Sequence, residues 1–582
     1  MGDRVWRRRG VTTIMLALAP WSASASASAQ SLAPTRDELT RPQPTPNEAP
    51  PKLRVEGDVE RAPCALADPQ FADIRVTIRE VEFNNLKGAT PAEMRSTWKD
   101  FAGRELPVSS ICEVRDRAAT LLREKGYLAA VQVPVQRIEN GVVRLEVLYG
   151  RVTAIRARGE TRGAEAKLRG YLERLTRDEI FDRNRAERYL LLARDLPGYN
   201  VQLTLRPAGT VPGELIGEVT VVRRPYSVDI TMQNLSARET GRWSGQVRGQ
   251  LFGLTGLGDA TSVSYSNTIG GWREQRIAQV AHQFRPGSSG LTVNGQFTAA
   301  WTRPDIGGNP DDPDLKARTI FATFSMGLPV VRSQARNLFV AGGFDLVNQR
   351  VELIVPLSSD RLRIAWLRTD FSMLDTAGGS PLWQLGGSIE LRRGLDVFDA
   401  SAGCRKIDCS DPEVVAPSRI DGKPTATVVR GTLSAELALA PNLSLFFAPR
   451  AQKGFAPLLS FEEFTAGNFT VGRGYDPGTV LGDSGVGFNA ELRGSRLQPL
   501  SRSPLRLQPY AFLDGAWIWD QNDGRSRAER LYSVGGGVRG ELTDIIRLDA
   551  TLAKPLRKAG PFDDKPGFRG LLTLTVRILP WR

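Results

Sequence analysis

From Tyr226 to the C-terminus helical periodicity is missing, and apolar and polar residues alternate in about sixteen segments of roughly ten residues, with turn residues between them. In TATVVRGTLSAELALA, Val429, Leu433, Ala435, Leu437 and Leu439 share one face, while Arg430, Thr432, Ser434 and Glu436 share the other. WQLGGSIELR sets Trp383, Leu385, Ile389 and Leu391 against Gln384, Ser388, Glu390 and Arg392. The last segment sets Leu572, Leu574, Val576 and Ile578 against Thr573, Thr575 and Arg577. A period of two sustained over about 350 residues requires a different medium on each side of a sheet.

A soluble sandwich satisfies that pattern with shorter strands. Strands of this length, with aromatics near their ends, fit a closed barrel with lipid outside and water inside, because lipid leaves an open sheet edge without hydrogen-bond partners. The N-terminus separates the two. MGDRVWRRRGVTTIMLALAPWSASASASAQ has a basic start (Arg4, Arg7, Arg8, Arg9), an apolar run from Val11 to Leu18 and small residues ending at Ala29. This is the layout of a secretory signal peptide over residues 1–29. No other apolar run approaches the ~20 residues of a transmembrane helix. The expectation is an exported β-barrel over 226–582.

The formal charge of +13 raises nucleic acid as a partner, but Lys and Arg are scattered rather than gathered on one periodic face, so none is expected. Four cysteines fall as two pairs, Cys64 with Cys112 and Cys404 with Cys409. In an exported chain an even count favours disulfides over metal or redox chemistry. The single histidine, His282, lies in a strand-like segment and reads as a structural or lumen residue. Asp483 and Asp514 are imaginable as an acid/base pair, but both have ordinary structural readings. No catalytic residue, metal or cofactor is expected.

Residues 30–70 open with a proline-rich linker, TRPQPTPNEAPPK, in which Thr35 to Leu39 allow a short helix. After Phe71 the texture becomes strand, helix, helix, strand, strand: IRVTIREVEF, PAEMRSTWKDF, SSICEVRDRAATLLREKGY, LAAVQVPVQ and VVRLEVLYG. In the second helix Ile111, Val114, Ala118, Leu121 and Leu122 share a face, Ser110 and Glu113 have capping-box spacing, and Gly126 supplies the stop. The same order recurs from VTAIRARG to ELIGEVTVV, with Gly126-Tyr127 and Gly198-Tyr199 at equivalent points. Two tandem α+β modules, 71–150 and 151–225, are expected to precede the barrel.

One loop stands out, FTVGRGYDPGTVLGDSG, between the eleventh and twelfth expected strands. It lacks the lysine and the following helix of a phosphate loop, and its Gly, Asp and Pro also suit any long hairpin loop. In the next strand, PYAFLDGAWIW, Asp514 alternates with apolar residues and should face the lumen. An arginine flanked by glycines and a lone lumen carboxylate make a sensible pair, because a partly desolvated charge needs a partner.

Here the sequence resembles the TpsB transporters of two-partner secretion, the haemolysin secretion/activation proteins, over about residues 64–582. The resemblance is carried by Cys64, the Cys112 helix, GYLAAVQVPVQ, NGVVRLEVLYGRV and NLSARETGRWSGQVRGQLFGLTGLGD. Its most specific parts are Arg473-Gly474-Tyr475, matching the family's RGY/RGF loop, and Phe512 with Asp514, matching its F-x-D strand motif. The loop's VGRGY, Gly515-Ala516 after the motif and the Trp581-Arg582 ending depart from the family pattern.

The resemblance implies an all-β, 16-stranded transmembrane β-barrel preceded by two α+β POTRA domains. It further implies an inward-folded loop over 454–486, in which Arg473 contacts Asp514, and a plug helix for which residues 31–40 are the candidate. It implies outer-membrane localisation in a Gram-negative bacterium with periplasmic POTRA domains. These would capture a large exoprotein by its N-terminal secretion domain. Periplasmic chaperones, the barrel assembly machinery and outer-membrane lipid are the other expected partners. The alternative within the superfamily is a factor that inserts other barrels, although such relatives usually carry more POTRA modules.

Overall fold

In the computed structural model the alternating half of the chain closes on itself. The residues described are 33–40, 54–55, 64–159, 164–208, 213–270, 274–305, 314–375, 381–499, 504–521, 528–543, 545–559 and 567–579. The expected signal peptide and the Trp581-Arg582 ending lie outside them. Among the described residues, sixteen antiparallel barrel strands follow chain order, and the first, Tyr226–Gln233, pairs with the last, Arg569–Leu579. Thr231 and Thr575 join hydroxyls across this seam at 3.1 Å, and Arg577 reaches Asp229 at 3.3 Å. No helix among these residues is long and apolar enough to cross a membrane. The chain crosses with strands.

Burial is inverted relative to a water-soluble protein. On the ninth barrel strand (Trp383–Gly394), Ile389 is 62% exposed while Arg392 is 1% exposed. Leu433, Leu437 and Leu439 are likewise exposed on the tenth (Thr427–Ala440), and Arg430 turns into the lumen network. The apolar set faces lipid and the polar set is buried inside the barrel. His282 lies two positions from the outward-facing Val280 and so shares its outer face, with Thr261 Oγ1 2.9 Å from its Nδ1.

Strand length departs from the sequence reading. The sixth to eighth barrel strands, Lys316–Arg332, Arg336–Glu352 and Pro356–Leu374, run to 17, 17 and 19 residues. They are longer than a bilayer requires. Hairpin pairing continues past the apolar band, where alternation against lipid no longer marks it.

Two α+β modules precede the barrel. The first contains a two-stranded ladder, β2 (Arg75–Thr77) with β4 (Glu105–Pro107). Its main sheet combines β3 (Glu80–Asn84), β5 (Ala129–Gln132) and β6 (Val142–Tyr149) in the order β3-β6-β5. The second combines β7 (Arg151–Gly159), β8 (Tyr199–Pro207) and β9 (Glu214–Arg223) in the equivalent order β7-β9-β8. A two-residue strand, β1 (Arg54–Val55), lies parallel against β8.

Helices cover one face of each sheet. A turn of helix near the chain start, α1 (Arg36–Leu39), is capped by Thr35, whose Oγ1 accepts from the Glu38 N–H. In the first module, α2 (Pro91–Met94) and α3 (Ser110–Glu124) follow. The second module has α4 (Glu165–Thr176) and α5 (Arg183–Arg194). Along α3, Ile111, Val114, Ala118 and Leu122 recur at helical spacing, and all are buried against Val143, Leu145 and Val147 of β6. Each fully buried branched aliphatic contributes about 1.5–3 kcal/mol. Gly126 ends this helix at φ +97°, a backbone that a Cβ would strain.

Two local expectations fail. Ser109, not Ser110, is the N-cap of α3 and makes no side-chain cap, so Glu113 lies a residue too deep to reach back and pairs with Arg117 at 2.7 Å. The PAEMRSTWKDF helix is one α-turn followed by two 3₁₀ turns, Arg95–Thr97 and Lys99–Phe101. There the Ser96 and Thr97 hydroxyls bond back to the carbonyls of Glu93 and Met94, competing with helix propagation.

The capping box that does form joins Thr90 and Glu93 at α2. Lys125 and the Thr90 groups hold the Glu93 carboxyl well below its usual 4.5, to about 2. A folded-state pKa below the unfolded one gives stabilisation that is complete above about 4.5 and lost as pH falls toward 2. An acid titration of tryptophan fluorescence, with Trp98 beside this turn, should therefore show a transition between those values that Glu93→Gln removes.

Cys64 and Cys112 are bonded, with Cα atoms 5.9 Å apart, and so are Cys404 and Cys409. The first bond ties the end of the linker to α3 across 48 residues. A loop of that size corresponds to about 4 kcal/mol of unfolded-state entropy. Cys64→Ser should lower the stability of the first module by that order, read as faster amide exchange along α3 with the barrel unaffected.

The modules are joined to each other by backbone bonds, Phe181 N–H to Gly150 O at 2.6 Å and Arg183 N–H to Gly126 O at 2.8 Å. The second module docks on the turns at one end of the barrel. Asp195 accepts two bonds from Arg332, at 2.8 and 2.7 Å, Arg188 donates to the Pro329 and Val330 carbonyls, and Lys167 donates to Gly287 O at 2.7 Å.

Candidate functional site

Two pieces of chain fold into the lumen and pack on its wall. One is the segment 455–483, between the eleventh barrel strand (Leu443–Gly454) and the twelfth (Ser484–Gly494). The other is the α1 segment, 33–40. Within the loop, Phe464–Ala466 and Val480–Gly482 pair as a small hairpin. Its Phe464, Val471, Tyr475 and Val480 pack on Ala516, Ile518 and Leu531 of the wall.

Arg473 leaves this loop toward the thirteenth barrel strand, Leu505–Trp519. Its Nη2 lies 2.7 Å from Asp514 Oδ1 and its Nε 3.0 Å from Oδ2, a two-pronged pair, and its backbone N–H donates to the same Oδ2 at 3.0 Å. Ser533 Oγ adds a bond at 3.2 Å, and Asp514 is fully buried. The Phe512 ring lies under the guanidinium at 3.7 Å, favouring the cation through its π-face. Tyr475 is anchored through its hydroxyl, which lies 2.6 Å from Arg557 O and 3.0 Å from Tyr532 O.

The glycines explain the approach. Gly472 has φ +110°, and a Cβ on Gly474 would come within 2.8 Å of Pro555 N and 3.0 Å of Ser533 Cβ. The loop backbone is therefore pressed onto the wall at the residue after the arginine.

Sequence reading missed half of this cluster. Glu491 takes Arg473 Nη1 at 2.6 Å, and also Arg493 at 2.8 Å and Arg539 at 2.9 Å. Glu491 and Arg493 share the polar parity of GFNAELRG, and Arg539 takes that of GGVRGEL, so alternation is the signal that could have put them on the inner face. It does not name their partners.

Three further arginines hold the same loop elsewhere. Arg392 reaches Glu462 at 2.8 Å, Asp345 at 2.8 Å and Glu390 at 3.0 Å, and Arg430 also donates to Glu462. Arg419 belongs to the loop 395–426 between the ninth and tenth barrel strands, which Cys404–Cys409 braces, and reaches Glu463 at 2.6 Å and Asp483 at 2.7 Å. Asp483 thus has its own cation, separate from the one on Asp514. Glu463, Asp483 and Asp520 are the one carboxylate group among the described residues close enough to share a metal ion, and the Arg419 guanidinium already supplies positive charge there.

The α1 segment is stitched into this network. Arg36 pairs with Glu390 at 3.0 Å; Asp37 accepts from Arg450 at 3.1 Å and from Thr465 Oγ1 at 2.6 Å. Leu39 packs with Phe321, Leu362, Leu459 and Phe461.

The family described as haemolysin secretion/activation protein ShlB/FhaC/HecB matches residues 219–540, more than half of the chain, and the POTRA domain of ShlB type matches 76–150. The chain belongs to this family. These TpsB proteins are the outer-membrane transporters of two-partner secretion, each paired with a secreted exoprotein, so this barrel is a transporter in the outer membrane with its POTRA region in the periplasm. It is similar to the heme/hemopexin transporter protein HuxB of Haemophilus influenzae (strain 86-028NP), with 22% identity over 535 residues, 89% of this chain and 90% of HuxB. In fold it is similar to CdiB from Escherichia coli, with TM-score 0.71, 17% identity and 95% of each chain covered. CdiB from Acinetobacter baumannii gives 0.63 at 17% identity, covering 93% of this chain and 95% of that one.

Proposed function

We propose that this TpsB transporter captures its exoprotein unfolded in the periplasm through both modules, 71–150 and 151–225, and passes it through the barrel once the lumen contacts rearrange. Arg473, with Asp514, Phe512 and Tyr475, acts as the latch that sets the loop conformation needed for export. The observation that carries this reading is the two-pronged pair on a fully buried carboxylate, which gives the loop one defined seat on the wall. A barrel of this size is wide enough for an aqueous channel, so a filled lumen has to be reorganised for a chain to pass. Capture raises the local concentration of client at the entrance, and folding at the cell surface makes return unfavourable.

No catalytic step enters this reading, because Asp483 and Asp514 are both held by arginines. Deletion of the gene should remove one large exoprotein from surface and medium and leave other outer-membrane proteins at normal levels. A general loss of outer-membrane proteins would instead indicate a barrel-assembly role.

A further inference from the structure

Outward-facing charge on the barrel is one-sided in sign and in place. Among the described residues the carboxylates of the barrel strands point inward by parity, Glu352 excepted, whereas arginines and lysines point outward where the apolar band ends. The sixth barrel strand shows the layout. Its outward positions begin with Lys316 and Arg318, continue as an apolar run from Ile320 to Val330, and finish with Arg332. That run is what a tilted strand needs to cross the hydrocarbon of a bilayer.

Arg332 lies at the module end and is taken by Asp195. Lys316 and Arg318 lie at the far end, where Arg350, Arg361, Arg393 and Lys453 close the apolar runs of the seventh, eighth, ninth and eleventh strands, all of them exposed. With the modules in the periplasm, the far end meets the outer leaflet.

Two of these cations face each other. Arg318 is directly opposite Arg350 on the next strand, and Trp301 is directly opposite Arg318 on its other side. Like charges so placed destabilise a sheet, and an anion between them relieves it. Glu352, opposite Lys316, answers only part of this by reaching Arg350 Nε at 2.5 Å. The adjacent inward-facing rung is fixed: Gln349 donates to Thr319 Oγ1 at 3.2 Å and to the Pro34 carbonyl at 3.4 Å, and accepts from Ser460 at 3.3 Å. The guanidiniums therefore stand on a rigid wall, and an anion binding them has little besides their side chains to order.

A soluble anion gains nothing from the apolar run beside this pair. A phosphorylated lipid gains from both, with its phosphate on the guanidinium forks and its acyl chains along Ile320, Phe324 and Leu328. Trp301 then sits at the boundary, where an amphipathic ring is favoured. We propose that Lys316, Arg318 and Arg350, with Trp301, form a site on the outer wall for lipid A, the phosphorylated glycolipid of the outer leaflet. The sixth to eighth strands, which continue past the band from this level, are thereby tied to the membrane surface.

Native mass spectrometry of the full-length transporter in detergent, titrated with diphosphoryl lipid A, tests this. The double variant Arg318→Gln, Arg350→Gln should bind it about tenfold more weakly than the parent. Dephosphorylated lipid A should bind the parent as weakly as diphosphoryl lipid A binds the double variant. Arg336→Gln, which removes an outward arginine at the module end, should leave binding unchanged. Glu352→Gln removes the competing carboxylate and should tighten binding about threefold, which keeps the site testable where the double variant fails to fold. Equal binding by parent and double variant overturns the proposal, and so does a Glu352→Gln protein that binds no more tightly than the parent. Phosphatidylglycerol bound as tightly as lipid A, or an equal loss in Arg336→Gln, overturns it too, because the wall would then be reading negative charge alone.

Discussion

Arg473→Ala should abolish export of the exoprotein while the barrel still reaches the outer membrane and stays heat-modifiable on gels. Asp514→Ala should do the same. The expectation follows from what each truncation leaves behind: Asp514 is fully buried and Glu491 nearly so. Removing one partner of a buried pair costs about 3–5 kcal/mol, because the remaining charge has no water to turn to. That is enough to shift a two-state loop by a factor of about 10² to 4 × 10³. Barrel formation does not depend on this pair, since the sixteen strands close through their own ladders. Arg473→Lys should rescue little, because an ammonium offers no fork to match both carboxylate oxygens and stacks poorly on Phe512. Glu491→Gln should be milder in export, since Asp514 still grips the arginine from two atoms. Normal export by both alanine variants would sink the latch.

The second large effect has the opposite sign. Arg392→Ala leaves Asp345, Glu390 and Glu462 facing one another inside the wall, where Arg392 itself is 1% exposed. Like charges at that spacing repel, and the movable partners are Glu462 of the loop and, through Glu390, Arg36 of the α1 segment. Both should loosen. Ion conductance in planar bilayers and sensitivity of cells to large antibiotics should therefore rise, by about tenfold for a destabilisation of about 1.4 kcal/mol in the closed state. A channel as silent as the parent would show that Glu462 does not hold the loop.

Much of this molecule can be read from sequence because a barrel in lipid writes one rule along every strand. Leu433 and Glu436 are told apart by parity alone, and Arg473 and Asp514 stand out as an isolated pair of opposite charges near one wall. The lumen network is less legible, since its members meet across the interior: Arg392 and Glu462 are 70 positions apart and Arg36 and Glu390 are 354 apart. Parity places such residues inside without saying which touch. Short elements hide for another reason. The four residues of α1 and the two of β1 are held by surroundings rather than by propensity, and a single turn is a costly nucleus in isolation. The long sixth to eighth strands were underestimated because pairing outlasts the lipid that imposes the alternation.

Arg392 and Arg419 hold neighbouring carboxylates of the loop, Glu462 and Glu463, and Arg473 pins a second stretch of it to the wall. An envelope that must exclude small toxic molecules gains from this arrangement. If the two anchorages fail independently about one per cent of the time each, both fail together about once in ten thousand. A pore wide enough for a polypeptide can then stand in the membrane with negligible leakage, and only a ligand that biases several grips at once opens it.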